Sequence, residues 1–170
     1  MQTVYIIKKC EQFEKHYIEF ERTSRLDHPG RYMISFGVRK GFIQLANETI
    51  CLLVSTKMNM ISKLRIILSS HKWIKLGFGE KNLNFLKKIG VGGLGYIPLD
   101  KLCVIGGVEK PNLRKQYNEI ISDKKFQREV LSEEAFAVYR LGVFLLSPTI
   151  KKIQRRRIPI GVSFNTGFHN

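Results

Sequence analysis

At 170 residues, 44% of them hydrophobic and 25% charged, the chain has the length and balance of one folded domain, not of a disordered segment. No apolar run approaches the ~20 residues of a membrane span, and the first residues lack the apolar stretch of a signal peptide, so neither a secreted nor a membrane protein is expected. Lys and Arg number 29 against 14 Asp and Glu, a net charge of +15, which points to a polyanionic partner, most simply RNA, or to a place inside a ribonucleoprotein.

Thr3 to Ile7 is a short β-branched and aromatic run that predicts a strand. From Cys10 to Arg22, Phe13, Tyr17 and Phe20 fall at helical spacing with glutamates between them, the pattern of an amphipathic helix. Asp27, Pro29 and Gly30 mark a loop. Arg31 to Val38 and Gly41 to Ala46 read as strands around an Arg39-Lys40-Gly41 turn, and Ile50 to Val54 as a third, which together make a meander. A helix follows over Asn59 to Ser70 with Asn59 as its N-cap. Trp73 to Phe78 reads as a buried strand, Asn82 to Ile89 as a short helix stopped by Gly90, Gly92 and Gly93, and Tyr96 to Leu99 as a strand. Pro98 to Val104 opens the next element, and residues 106–128 mix loop with a short helix. Glu133 to Leu146 predicts a strong helix with Ala135, Val138, Leu141 and Leu145 inward and Pro148 as its stop. The order describes an α/β domain with a mixed sheet over residues 1–148, followed by a basic tail over 149–170.

Chemical motifs are sparse. Cys10, Cys51 and Cys103 lack CxxC spacing and read as reduced core cysteines, which suits a cytoplasmic or nuclear compartment. His16, His28, His71 and His169 are too scattered for a metal site. The Gly90-Val91-Gly92-Gly93-Leu94-Gly95 stretch lacks the Lys-Ser/Thr of a phosphate-binding loop. The run Lys151, Lys152, Arg155, Arg156 and Arg157 is the best candidate for contact with RNA, through phosphates and with little regard to sequence.

The element order with its local motifs resembles the DEDD-type 3′-to-5′ exonuclease domain, a ribonuclease H-like mixed β-sheet flanked by helices. Phe42-Ile43-Gln44-Leu45-Ala46 stands where that family has a strand reading roughly liQLA, and Ile50 to Val54 matches the strand after it. Ile74-Lys75-Leu76-Gly77 leads to Asn82-Leu83-Asn84-Phe85-Leu86, then to Ile97 through Cys103, while Glu134 through Leu141 is similar to the last family motif. The resemblance spans roughly residues 3 to 146.

The resemblance implies two metal ions held by four carboxylates and a water-orienting Tyr or His. Ser35 and Gly37 stand about where the first two acids belong, Asn82 at the second Asp position and Val130 at the Tyr position, and Glu134 alone keeps a carboxylate. The segment from Pro29 to Asn47 holds no acid. The expectation is therefore a protein that is not an enzyme, a degenerate exonuclease with no catalytic residue, metal or cofactor, similar to those of the piRNA pathway. Such a protein would bind RNA or scaffold protein partners in RNA silencing or RNA processing. Some of these domains work as dimers, so a homodimer is among the expected states. The alternative is a structural subunit of a large ribonucleoprotein such as a mitochondrial ribosome, with a mitochondrial location.

Overall fold

A computed structural model describes residues 1–27, 30–106 and 124–155, with side chains for all of these but 104–106, 124–127 and 147–155. In chain order the elements are β1 (Thr3–Ile7), α1 (Cys10–Ser24), β2 (Tyr32–Arg39), β3 (Phe42–Ala46), β4 (Ile50–Ser55), α2 (Ser62–Ser69), β5 (Trp73–Gly77), α3 (Glu80–Lys88), β6 (Tyr96–Pro98), α4 (Leu99–Gly106) and α5 (Lys124–Arg155). The strands form a six-stranded sheet in the order β1-β4-β3-β2-β5-β6. The β2–β3 and β3–β4 neighbours are antiparallel, while β1–β4, β2–β5 and β5–β6 are parallel. The mixed α/β architecture expected from the sequence is therefore present, and the meander of three strands is its centre.

Side chains alternate between the two faces, so each face gains its own helical cover. Ile34, Phe36, Ile43, Leu45, Leu52 and Val54 pack with Phe13 and Phe20 of α1, Leu64, Ile67 and Leu68 of α2, and Leu86 of α3. The opposite face packs against α4 and α5 in two clusters. Met33 and Leu76 meet Leu99, Leu102, Cys103, Val138 and Leu145, while Ala46, Cys51 and Leu53 meet Leu131, Ala135 and Phe136. Helix α5 thus crosses the sheet from the edge at β1, where Arg128 donates to the Val4 carbonyl at 3.3 Å, to β5, where Gly142 lies against Leu76.

Several boundaries differ from those the sequence predicts. Helix α2 begins at Ser62 with Ile61 at the N-cap and no side-chain cap, not at Asn59. Met58, Met60 and Ile61 lead in through a bend and an extended Ile61 and pack on the core, a tertiary gain that outweighs the local cap. Helix α1 starts by a device the hydrophobic pattern does not reveal: the Gln12 side-chain oxygen accepts from the Lys8 and Lys9 N–H groups at 2.8 and 3.1 Å. Helix α5 starts nine residues before Glu133 and continues past Pro148 to Arg155. Phe126, Val130 and Leu131 carry the helical apolar period back beyond Glu133, and Pro148 forfeits one backbone hydrogen bond without ending the helix. Cys51 and Cys103 are buried as expected, and burial pushes the Cys51 thiol up to about 12, whereas Cys10 is only half-buried at the start of α1.

Candidate functional site

Strand β2 and helix α5 bring four of the five positions singled out by the family motifs onto one side of the sheet. Ser35 and Gly37 share a face of β2, and Val130 and Glu134 lie one helical turn apart on α5, above it. Ser35 is buried and its hydroxyl donates to the Ala46 carbonyl at 3.4 Å. Over Gly37 lies the buried Gln44 side chain, whose amide nitrogen donates to the Leu131 carbonyl at 2.8 Å. A Cβ at position 37 would stand 2.6 Å from the Gln44 Oε1, so the missing side chain at Gly37 is what lets Gln44 cross to the helix. Val130 is buried against the sheet. Glu134 is mostly buried and accepts from the Arg39 guanidinium at the end of β2.

Asn82 sits elsewhere. It belongs to α3, on the other face, and reaches the exposed flank of β2. Strand β5 pairs with β2 only over Tyr32 to Ser35. Beyond that the Asn82 side chain replaces the missing strand: its Oδ1 accepts from the Val38 N–H at 3.1 Å and its Nδ2 donates to the Phe36 and Phe78 carbonyls at 3.2 Å. The phenol of Tyr96 closes the corner by donating to the Gly79 carbonyl at 3.0 Å, and burial pushes its pKa up to about 12, so it stays protonated. Gly77 has no room for a side chain here, since a Cβ would meet the Phe36 carbonyl at 2.5 Å.

Neighbouring Asp100 has a structural partner, and the glycine-rich stretch and the basic run are the remaining candidates. Asp100 caps the entry to α3 by accepting from the Gly79 N–H at 3.2 Å. In the glycine-rich stretch 90–95, Val91 is buried and Gly95 lies against the Trp73 carbonyl, while Gly92 and Leu94 are exposed. Lys151, Lys152 and Arg155 are on the last turns of α5, where side chains are not described, and Arg156 and Arg157 fall outside the described residues.

Three polar residues stand out in the structure to which the sequence assigned no role, although Gln44 and Lys75 lie within the matched family motifs. Arg39 and Gln44 fill the site itself. The signals for them were weak: Arg39 continues the Ser35, Gly37 alternation along β2, and Gln44 is the one polar residue in an otherwise apolar strand. The third is Lys75, in mid-sheet and fully buried. Its ammonium has no carboxylate partner among the described residues and donates to the carbonyls of Ile67, Ser70 and Trp73 at 3.3, 3.1 and 2.8 Å. Burial lowers its pKa to about 8. These carbonyls include the open end of α2, where the helix dipole favours a cation.

A pair of divalent ions needs several anionic or neutral oxygens free to converge. Ser35, Gly37, Asn82 and Val130 supply none that is not already used, and Glu134 is committed to Arg39. Among the described residues, no three His, Cys, Asp or Glu side chains gather as metal ligands. The five positions as they stand do not fit the two-metal group of the resembled family.

The fold is that of known exonuclease domains. The chain is similar to the exonuclease domain of Nibbler from Aedes aegypti (TM-score 0.61, 12% identity, 98% of this chain and 95% of that one). It is also similar to the EXD2 exonuclease domain (TM-score 0.51, 16% identity, 91% and 93%), and to that domain soaked in Mn and GMP (TM-score 0.50, 15% identity, 91% and 97%). The sequence matches no protein-family model, and it matches no curated protein significantly. The mixed six-stranded α/β sheet of the described residues thus has the fold of these exonuclease domains.

One expectation is overturned. The sequence reading set the chain down as not an enzyme, yet the solved structures that share its fold are exonuclease domains, one of them soaked with a metal ion and a nucleotide. Residue types at five positions, assigned through motif order, describe those positions alone and do not decide what the whole fold can do.

Proposed function

We propose that this chain is an RNA-binding protein built on an exonuclease-like fold, and that it presents the same domain to protein partners in RNA silencing or RNA processing. The observation that carries this reading is a net charge of +15 on that fold. Such an excess attracts a polyanion and releases condensed counterions when phosphates are neutralised, so affinity falls steeply with salt. The cations Lys151, Lys152, Arg155, Arg156 and Arg157 supply contacts that position an RNA strand without reading its bases.

The test is a fluorescence-anisotropy titration of labelled single-stranded RNA over a salt series, with the same mixture incubated in Mg²⁺ or Mn²⁺. Salt-sensitive binding that weakens when Arg155, Arg156 and Arg157 are neutralised is the expected result. Absence of binding near physiological salt sinks the RNA-binding part and leaves a protein-only partner surface. The incubation reads directly whether bound RNA is shortened from its 3′ end, and Glu134→Ala shows whether that carboxylate takes part. A chain that aggregates when isolated, or that purifies only with nucleic acid, fits a subunit of a larger ribonucleoprotein.

A further inference from the structure

Two connections meet at the end of the sheet where β2 and β5 begin. The α1–β2 connection folds back on itself: Arg25 forms a bridge with Tyr32, and the Leu26 N–H donates to the Arg31 carbonyl at 2.9 Å. The α2–β5 connection is tied to the same place, since the Tyr32 N–H donates to the Lys72 carbonyl at 2.9 Å and the Arg31 guanidinium to the His71 carbonyl at 3.4 Å. These bonds gather Arg25, Arg31, His71 and Lys72, all exposed, beside Arg22 in the last turn of α1.

The nearby acids Glu21 and Asp27 lower the local positive charge but form no ion pair with these cations among the described residues. Glu21 is hydrogen-bonded by the Tyr32 hydroxyl at 3.2 Å, and Asp27 pairs with none of the four cations. The two ion pairs among the described residues, Arg39–Glu134 and Lys63–Glu14, are both elsewhere. Arg22, Arg25, Arg31 and Lys72 are therefore four positive charges on one pole with no ion pair among the described residues. Three are guanidiniums, whose planar fork suits phosphate oxygens. The pole lies about 23 Å along β2 from Arg39, taking roughly 3.3 Å per residue, so it is a separate surface from the β2–α5 site.

We propose that this pole is a second phosphate-binding surface for the backbone of single-stranded RNA. The inference rests on the RNA-binding reading above and adds a place on the folded domain to it. Its cations hold phosphates through charge and guanidinium hydrogen bonds, and the backbone ties between the two connections fix their spacing.

The test is anisotropy titration of a labelled single-stranded RNA over a salt series with the full chain, an Arg25→Gln/Arg31→Gln/Lys72→Gln variant and an Arg155→Gln/Arg156→Gln/Arg157→Gln variant. The pole variant is expected to bind at least tenfold more weakly, with a log K against log [salt] slope shallower by about 2, since each phosphate contact on a single strand contributes roughly 0.7. Arg31 takes part in a tertiary hydrogen bond, so Arg22→Gln/Lys72→Gln serves as the second variant; neither side chain makes a hydrogen bond or ion pair among the described residues, and a slope shallower by about 1.4 is expected. If the chain binds RNA and both pole variants keep its affinity and slope, this surface is not a contact. If the unaltered chain binds no RNA, the functional reading fails and this inference with it. Equal binding to phosphatidylserine vesicles, lost in the same variants, assigns the pole to a membrane surface instead and overturns the RNA assignment.

Discussion

Asn82 and Lys75 are both buried polar side chains held by backbone groups, and each can be tested by a change of a single group. Asn82 uses its oxygen as acceptor and its nitrogen as donor. Aspartate keeps the shape but turns the donor into a second acceptor facing two carbonyls, inside a nearly closed corner. Asn82→Asp is expected to cost about 2–3 kcal/mol in urea unfolding at neutral pH. A variant as stable as the parent would refute the bonding assigned here. For Lys75 the folded pKa of about 8 lies below the ordinary value of 10.5. The penalty for burying its charge is therefore present in full below pH 8 and fades as pH rises toward 10.5, because the unfolded chain then holds the extra proton. Cys51, Tyr96 and Tyr139 are raised by burial and oppose this trend at high pH. The measurement is thus a difference: the stability gap between the parent and Lys75→Met should shift in the parent's favour between pH 8 and pH 10, and a flat gap would contradict the assignment.

At the scale of elements, close approach of backbone decides which glycines matter. Gly77 ends β5 with its α-carbon against the Phe36 carbonyl, an atom that cannot move without disturbing β2. Gly93 also has a near neighbour, but it is the Leu83 Cδ1, the free end of a side chain that can rotate away. Gly77→Ala should therefore lose about 2 kcal/mol or more, within the usual range for overpacking, while Gly93→Ala should stay within about 0.5 kcal/mol. Chemical denaturation of the two variants checks the pair. Equal effects would mean that the β5–β2 junction is looser than described. The Asn47 clamp works at the same scale. Fully buried in the β3–β4 turn, it donates to the Thr23 and Ser24 hydroxyls at 2.8 and 2.9 Å and accepts from the Thr49 and Ile50 N–H groups, which fixes the end of α1 to the sheet.

For the whole molecule, net charge is the dominant property. Fifteen uncompensated positive charges repel one another, and the two ion pairs among the described residues relieve little of it. Raising ionic strength screens this repulsion, so the melting temperature should climb by a few degrees, about 3–5 °C, between low and roughly 0.3 M salt. A short RNA should raise it further at low salt if binding favours the folded state. A scan that shows no change with salt would indicate that the charges are already dispersed enough not to interact.

The sequence by itself determined the charge and the types and order of the elements, except for α4, whose type it left open. Thr3 to Ile7, the β2–β3–β4 meander and the Phe13, Phe20 face of α1 carry their hydrophobic period within a few residues, so local patterning was enough. It also placed Ser35, Gly37, Val130 and Glu134 at positions that the fold does bring to one side of the sheet. Only the tertiary structure decided what fills that side. The Gln44 reach to Leu131, the Arg39–Glu134 pair and the departure of Asn82 to the flank of β2 all join residues distant in the chain. The same holds for Lys75, whose place in a strand pattern says nothing of the three carbonyls that surround its ammonium. Periodicity reports which face a residue occupies. Which polar groups must satisfy one another there depends on how far apart the packed backbones come to rest.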